Sequence, residues 1–103
     1  MKIKNDKQVI KKNEFRKNKG TLHPAYIYAK VGNEYKFIGL THSKITDGVK
    51  NIKLEKNPNP KDGRTAYMKP VVESGKTNKF SKKKKGWNLS VQDKKKANRI
   101  IKK

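Results

Sequence analysis

Apolar positions gather in the middle of this 103-residue chain, and their spacing sets the first structural expectations. From Ala25 to Val31 two kinds of side chain alternate: Ala25, Ile27, Ala29 and Val31 at odd positions, and Tyr26, Tyr28 and Lys30 at even ones. Successive residues of a strand point to opposite faces, so the pattern predicts a strand with its odd positions toward the core. Gly32-Asn33 supplies turn chemistry, and Tyr35 to Leu40 is predicted to return as the second strand of a hairpin.

Elsewhere the pattern is shorter and more interrupted. Residues 1–21 scatter Ile3, Val9, Ile10 and Phe15 among lysines, which suits a basic N-terminal arm with a short strand or helical turn docked on the core. Thr41-His42-Ser43 ends the second strand, Asp47-Gly48 marks a turn, and Asn51 to Leu54 reads as a brief strand. Asn57-Pro58-Asn59-Pro60 and Asp62-Gly63 predict a rigid loop, because each proline restricts its neighbour. Thr65 to Val72 is predicted as a strand, placed at an edge or bulge by Pro70. A Lys-rich linker over 75–86 then leads to a C-terminal helix within 87–103. That helix has Ser90 and Asp93 as a variant capping box and Ala97, Ile100 and Ile101 as its apolar stripe. The expected architecture is mainly β with a C-terminal helix: an arm over 1–21, a small, strongly curved antiparallel barrel over 22–74, the linker, and the helix packed on that core.

Charge changes the picture most. Lys and Arg number 29 against 8 Asp and Glu, for a net charge of +21, and only Arg16, Arg64 and Arg99 are arginines. The excess is greatest at the C-terminal end, where residues 73–103 hold 12 cations and 2 anions. Such a chain repels itself unless it meets a polyanion, and nucleic acid is the usual one because each neutralised phosphate releases a counterion. Leu, Ile, Val and Phe make up only about a fifth of the residues, too few for a large buried active site. The absence of cysteine excludes disulfides, thiolate chemistry and cysteine zinc sites. No apolar run has the length of a membrane span, so the expected setting is cytoplasmic with no membrane partner.

Candidate chemistry is sparse. Paired carboxylates, a metal-ligand cluster and a glycine-rich phosphate loop are all missing from the pattern, so neither a metal nor a cofactor is expected. What remains is His23 before the first strand and Thr41-His42-Ser43 after the second, which a hairpin brings to one rim. Attack of an RNA 2′-hydroxyl on its own phosphate needs a base, an acid and a group that stabilises the phosphorane. Histidine serves the first two roles, and a hydroxyl with Lys44 or Arg64 serves the third. The alternative is a histidine that merely sits in a loop before proline, with Thr-His-Ser as a turn cap. A second candidate surface is Tyr26, Tyr28 and Lys30, where aromatic faces would stack on unpaired bases. Equally, these tyrosines pack beneath the helix or at a dimer contact. Lys82, Lys83, Lys84 and Lys85 are candidates for phosphate contacts without sequence preference.

His23-Pro24-Ala25-Tyr26-Ile27-Tyr28 followed by Thr41-His42-Ser43 resembles the Arg-Pro…Ile-Thr-Ser pattern of MazF/PemK-type toxins. Gly86-Trp87-Asn88-Leu89-Ser90-Val91-Gln92-Asp93 is similar to the Gly-x-Leu-Ser-x-x-Asp element that opens the closing helix of that family. The resemblance spans most of residues 22–103. It implies an SH3-like barrel, a homodimer, metal-independent cleavage of single-stranded RNA, and an acidic antitoxin as inhibitor. Thr41 matches the catalytic threonine, whereas His23 stands at the position of the catalytic arginine and is a poorer permanent cation. The expected function is therefore a nucleic-acid-binding protein acting as a toxin-type endoribonuclease. The alternatives are a non-catalytic RNA- or DNA-binding module of a ribosomal, phage or mobile-element kind, and an interaction factor for an acidic partner.

Overall fold

The computed structural model describes residues 8–103; the first seven residues of the expected arm lie outside the described residues. The fold is mainly β with one C-terminal helix. Three long strands form its centre: β1 (Val9–Lys17), β2 (Pro24–Val31) and β3 (Glu34–Thr41). The hairpin expected from the alternation is β2–β3, paired antiparallel from Ala25↔Gly39 to Val31↔Glu34 across a turn in which Gly32 has φ 60°. Short strands follow: β4 (Ile45–Thr46), β5 (Val49–Lys50), β6 (Ile52–Lys53), β7 (Tyr67–Met68) and β8 (Glu73–Lys76). The main sheet runs β1-β2-β3-β7-β6, with β8 also on β3, and β4–β5 is a separate hairpin turned by Asp47 and Gly48, both at positive φ.

The N-terminal stretch is more than an arm. β1 pairs with β2 from Val9↔Val31 to Lys17↔Pro24, and Phe15 is fully buried. Opposite Tyr28 of β2 the register shifts on both sides, between Lys11 and Glu14 on β1 and between Ile27 and Ala29 on β2. Bulges of this kind bend and twist a strand.

Both faces of the sheet are buried, which corrects the one-sided reading of β2. Ala25 and Ile27 lie in a smaller cluster with Tyr35, Phe37 and Phe80. Tyr26, on the other face, belongs to the larger cluster with Phe15, Ile38, Leu40, Leu54, Met68, Ala97 and Ile100. The second cluster exists because the helix α1 (Val91–Ile101) lays its apolar stripe on that face, with Trp87 centred 5.8 Å from Phe15.

The expected linker also builds the fold. Phe80 stands edge-on to Tyr35 and Phe37 at 5.3 and 5.1 Å, over Gly75, where an added Cβ would come within 3.2 Å of the Phe80 ring. The following chain runs along the outer edge of β1. Lys19 donates to Lys79 O at 2.8 Å, Ser81 to Lys17 O at 2.9 Å, and Lys84 to Phe15 O at 2.7 Å. Only Tyr67–Met68 of the expected strand 65–72 is extended into a ladder, between β3 and β6; Lys69 keeps one further bond, to Gly39 O, before Pro70. Among the described residues no helix is long and apolar enough to cross a membrane.

Helix α1 starts as a cap but not as a reciprocal box. Ser90 Oγ accepts the Asp93 amide at 3.1 Å. The Asp93 carboxylate, fully buried, instead accepts the amides of Glu55 at 2.7 Å and Lys56 at 3.3 Å, and Lys96 Nζ lies 3.4 Å away. One side chain thus ties the helix start to the loop that follows β6.

Candidate functional site

The β1–β2 connection and the end of β3 do meet. His23 is presented by a tight loop in which Asn18 donates to His23 O at 2.9 Å and the His23 amide donates to Thr21 Oγ1 at 3.2 Å. Leu22 within it has φ 66°, a left-handed backbone uncommon for a residue with a Cβ and a point of stored strain. His23, Pro24, Thr41 and His42 line a small recess of about 40 Å³, closed by Trp87 and by Asn57, Pro58 and Asn59 of the loop after β6. Ser43 and Lys44 are exposed and outside its lining.

The side chains in this recess differ in what they have free. Thr41 is 7% exposed, and its Oγ1 accepts the Ser43 amide at 3.2 Å. His42 Nδ1 lies 2.9 Å from Thr65 O, and its Nε2 lies 3.4 Å from Asp62 Oδ2, so both ring nitrogens face protein oxygens. Behind Asp62, Arg64 closes a fork with Nε and NH2 at 3.0 and 2.9 Å from the two carboxylate oxygens. The Arg64 side chain and amide, helped by His42, hold the Asp62 carboxyl well below the usual carboxylate range, and Asp62 in turn raises Arg64. The result is a chain, Thr65 carbonyl to His42 to Asp62 to Arg64, that fixes the His42 ring. His23 is the rim imidazole that forms no side-chain hydrogen bond among the described residues.

A larger cleft of about 660 Å³ adjoins the recess, walled by residues 53–66 with Gly86 and Asn88. Asn57, Pro58, Asn59, Asp62 and Ala66 line both. The loop is stitched to itself: Asn57 Oδ1 accepts Asn59 N at 2.9 Å, Asn57 Nδ2 donates to Arg64 O at 3.0 Å, and Asn59 Oδ1 accepts Lys61 N at 3.0 Å. Asp62 and the three loop residues 57–59 were not candidates from the sequence. The signal that finds them is the Asn-Pro-Asn-Pro run followed by Asp-Gly-Arg, whose prolines by themselves predict only a rigid loop.

The tyrosine platform is not assembled. Tyr26 is 3% exposed, its ring 5.3 Å from Phe15 and its hydroxyl donating to Asn13 Oδ1 at 3.1 Å, so no face is left for a base. Tyr28 is half-buried against the same cluster, and Lys30 is half-buried on β2. Burial raises the phenol pKa of both tyrosines. Lys82, Lys83 and Lys85 are exposed along the β1 edge and Lys84 is half-buried; none of the four is ion-paired among the described residues. No group of three or more His, Asp or Glu able to hold a metal ion occurs among the described residues. Compared with known proteins, the chain matches no family model, no curated protein and no solved structure.

Proposed function

We propose that the protein binds nucleic acid, and single-stranded RNA in particular. The observation that carries this reading is the lysine edge: four consecutive lysines beside β1, in a segment joined to it by the main-chain bonds of Ser81 and Lys84 and without an ion-pair partner among the described residues, in a chain of net charge +21. A run of lysines on an anchored edge suits a phosphate backbone, whose neutralisation releases counterions. Two adjoining concave recesses favour an unpaired strand, since duplex bases stay stacked out of reach.

A second reading is favoured by the meeting of His23, Thr41 and His42. In it the protein is a metal-independent endoribonuclease of the MazF/PemK type, with an SH3-like barrel, a homodimeric form and an acidic inhibitor protein. The return of residues 79–84 to the β1 edge supports the barrel part. His23, whose imidazole makes no side-chain hydrogen bond among the described residues, is the base or acid, and the Thr41 hydroxyl faces the phosphate.

Long mixed-sequence RNA incubated with the protein in excess chelator tests both. Complexes that weaken with salt and hold intact RNA support binding alone. Cuts ending in cyclic phosphate, lost in Thr41→Val and His23→Ala, support the nuclease. Replacing Lys82 to Lys85 by glutamine is expected to lower the slope of log affinity against log salt by about 3, from about 0.7 per phosphate contact on a single strand. RNA that neither binds nor is cut overturns both readings.

A further inference from the structure

The cleft beside the rim differs from the rest of the surface in its charge. Lys53, Lys56 and Arg64 line it against Glu55 and Asp62, near balance in a protein with 29 cations and 8 acids. Asp62 and Arg64 moreover neutralise one another. A recess meant for phosphate would not spend two of eight carboxylates on its walls. Its apolar lining includes the buried Leu54 and Ala66 together with Pro58, and Pro58 and Ala66 also line the rim recess. Its lining also carries side-chain amides, of which the Asn59 Nδ2 and the Asn88 Oδ1 have no hydrogen-bond partner among the described residues, one a donor and one an acceptor.

The walls are also held rigidly. Residues 54–66 contain no strand or helix, yet two prolines, the Asn57 and Asn59 side-chain turns, the Asp62–Arg64 fork and the buried Asp93 carboxylate fix their course. Long irregular loops held this firmly are usually functional, and a preformed site avoids the cost of ordering on binding. A volume of about 660 Å³ lies within the range of small-molecule sites.

We propose that this cleft takes the base of an unpaired nucleotide, a neutral heteroaromatic with both donors and acceptors on its edge, while the neighbouring phosphate lies toward His23. The proposal rests on the nucleic-acid reading and adds base selectivity to it. The base lies against Pro58, Leu54 and Ala66 of the lining, Asn59 donates to it and Asn88 accepts from it. Lysines at the β1 edge contribute affinity without distinguishing bases.

Amide NMR of the full chain tests this, with the four nucleoside 5′-monophosphates and inorganic phosphate as probes. The expected result is base-dependent shifts in residues 57–65 and the Asn59 and Asn88 side chains, with phosphate moving only rim and lysine signals. Asn59→Asp keeps the acceptor for the Lys61 amide but loses the donor; Asn88→Ala leaves the loop untouched. Each is expected to weaken the favoured nucleotide by about fivefold to tenfold, the worth of one hydrogen bond left unmade. Identical shift patterns for all nucleotides and phosphate would overturn the cleft while leaving polyanion binding in place. If single-stranded RNA itself fails to bind, the nucleic-acid reading falls and the cleft proposal with it.

Discussion

At the β1 end of the sheet, the segment that carries Lys82 to Lys85 is joined to β1 by the main-chain bonds of Ser81 and Lys84, and those four lysines have no carboxylate partner among the described residues; at the β6–β7 end, the loop of residues 54–66 is held largely by side chains, and Asp62 and Arg64 within it are paired. Both surfaces are rigid, but for different reasons. Backbone pairing fixes a strand whatever its side chains, so it can carry a row of like charges outward at the cost of self-repulsion. Side-chain stitching demands particular residues at particular places, and the groups it leaves unused can select a ligand. The first arrangement suits affinity, the second discrimination.

The largest expected effect separates the lysine edge from the sheet. Phe80 anchors residues 79–84 by filling the smaller cluster between Tyr35, Phe37 and Gly75. Phe80→Ala should cost about 3–5 kcal/mol, the range for a buried phenylalanine. Hydrogen exchange at the Ser81 and Lys84 amides should accelerate well beyond that at the Leu54 amide, whose partner is Ala66 O. A loss under about 1 kcal/mol in urea unfolding would mean that the cluster closes up and that the ladder alone holds the edge.

The converse change acts on the cleft. Asp93→Ala leaves the Glu55 and Lys56 amides without their acceptor and should cost about 3 kcal/mol, since each of these part-buried donors loses a bond to a charged acceptor worth about 1.5–3. Asp93→Asn, which retains one acceptor oxygen, should cost less than the alanine change. Thermal unfolding gives the loss, and amide exchange locates it: residues 54–66 should open while Ser81 and Lys84 stay protected. Equal loosening at both ends would show that the two regions are one cooperative unit.

These two anchors were unequally visible beforehand. The β2–β3 hairpin and the helix were readable because each has its own period and its own turn or cap residues. Strand β1 is obscured by its interleaved charges, Lys11, Lys12, Glu14, Arg16 and Lys17, although Phe15 marks its buried side. Tyr26 takes the alternative in which it packs beneath the helix: alternation tells which residues share a face, not whether the opposite face is also covered, and here α1 and Trp87 cover it. Asp93 was read as a cap of its own helix, yet its acceptors are spent nearly forty residues away in the chain, at Glu55 and Lys56. The rim was legible because a hairpin fixes which ends lie together. The cleft was not, since no local pattern shows that the Asn-Pro-Asn-Pro loop folds back beside Thr41.

The smallest effect concerns charge pairing itself, where the two regions differ most plainly. Asp62 is held below the ordinary carboxylate value of about 3.9 mainly by the Arg64 side chain, then by the Arg64 amide, with a lesser contribution from His42. A carboxylate depressed in the folded state stabilises it above the unfolded pKa. That contribution is lost as pH falls from the unfolded value toward the folded one, so it begins to disappear near about pH 4. Arg64→Ala removes the largest cause. The Asp62 titration, followed by carboxyl carbon NMR, should then move up toward the ordinary range, and the acid limb of the stability curve should shallow. At neutral pH stability should hardly change, because the pair lies at the surface where water and salt screen it. At the β1 edge the paired carboxylate is Glu14, 2.6 Å from Arg16, and Lys82 to Lys85 pair with none among the described residues, so replacing those four lysines by glutamine should leave the Asp62 titration where it is. An Asp62 midpoint identical in wild type and Arg64→Ala would mean that the fork does not persist in solution. The charge balance of the cleft would then be only nominal.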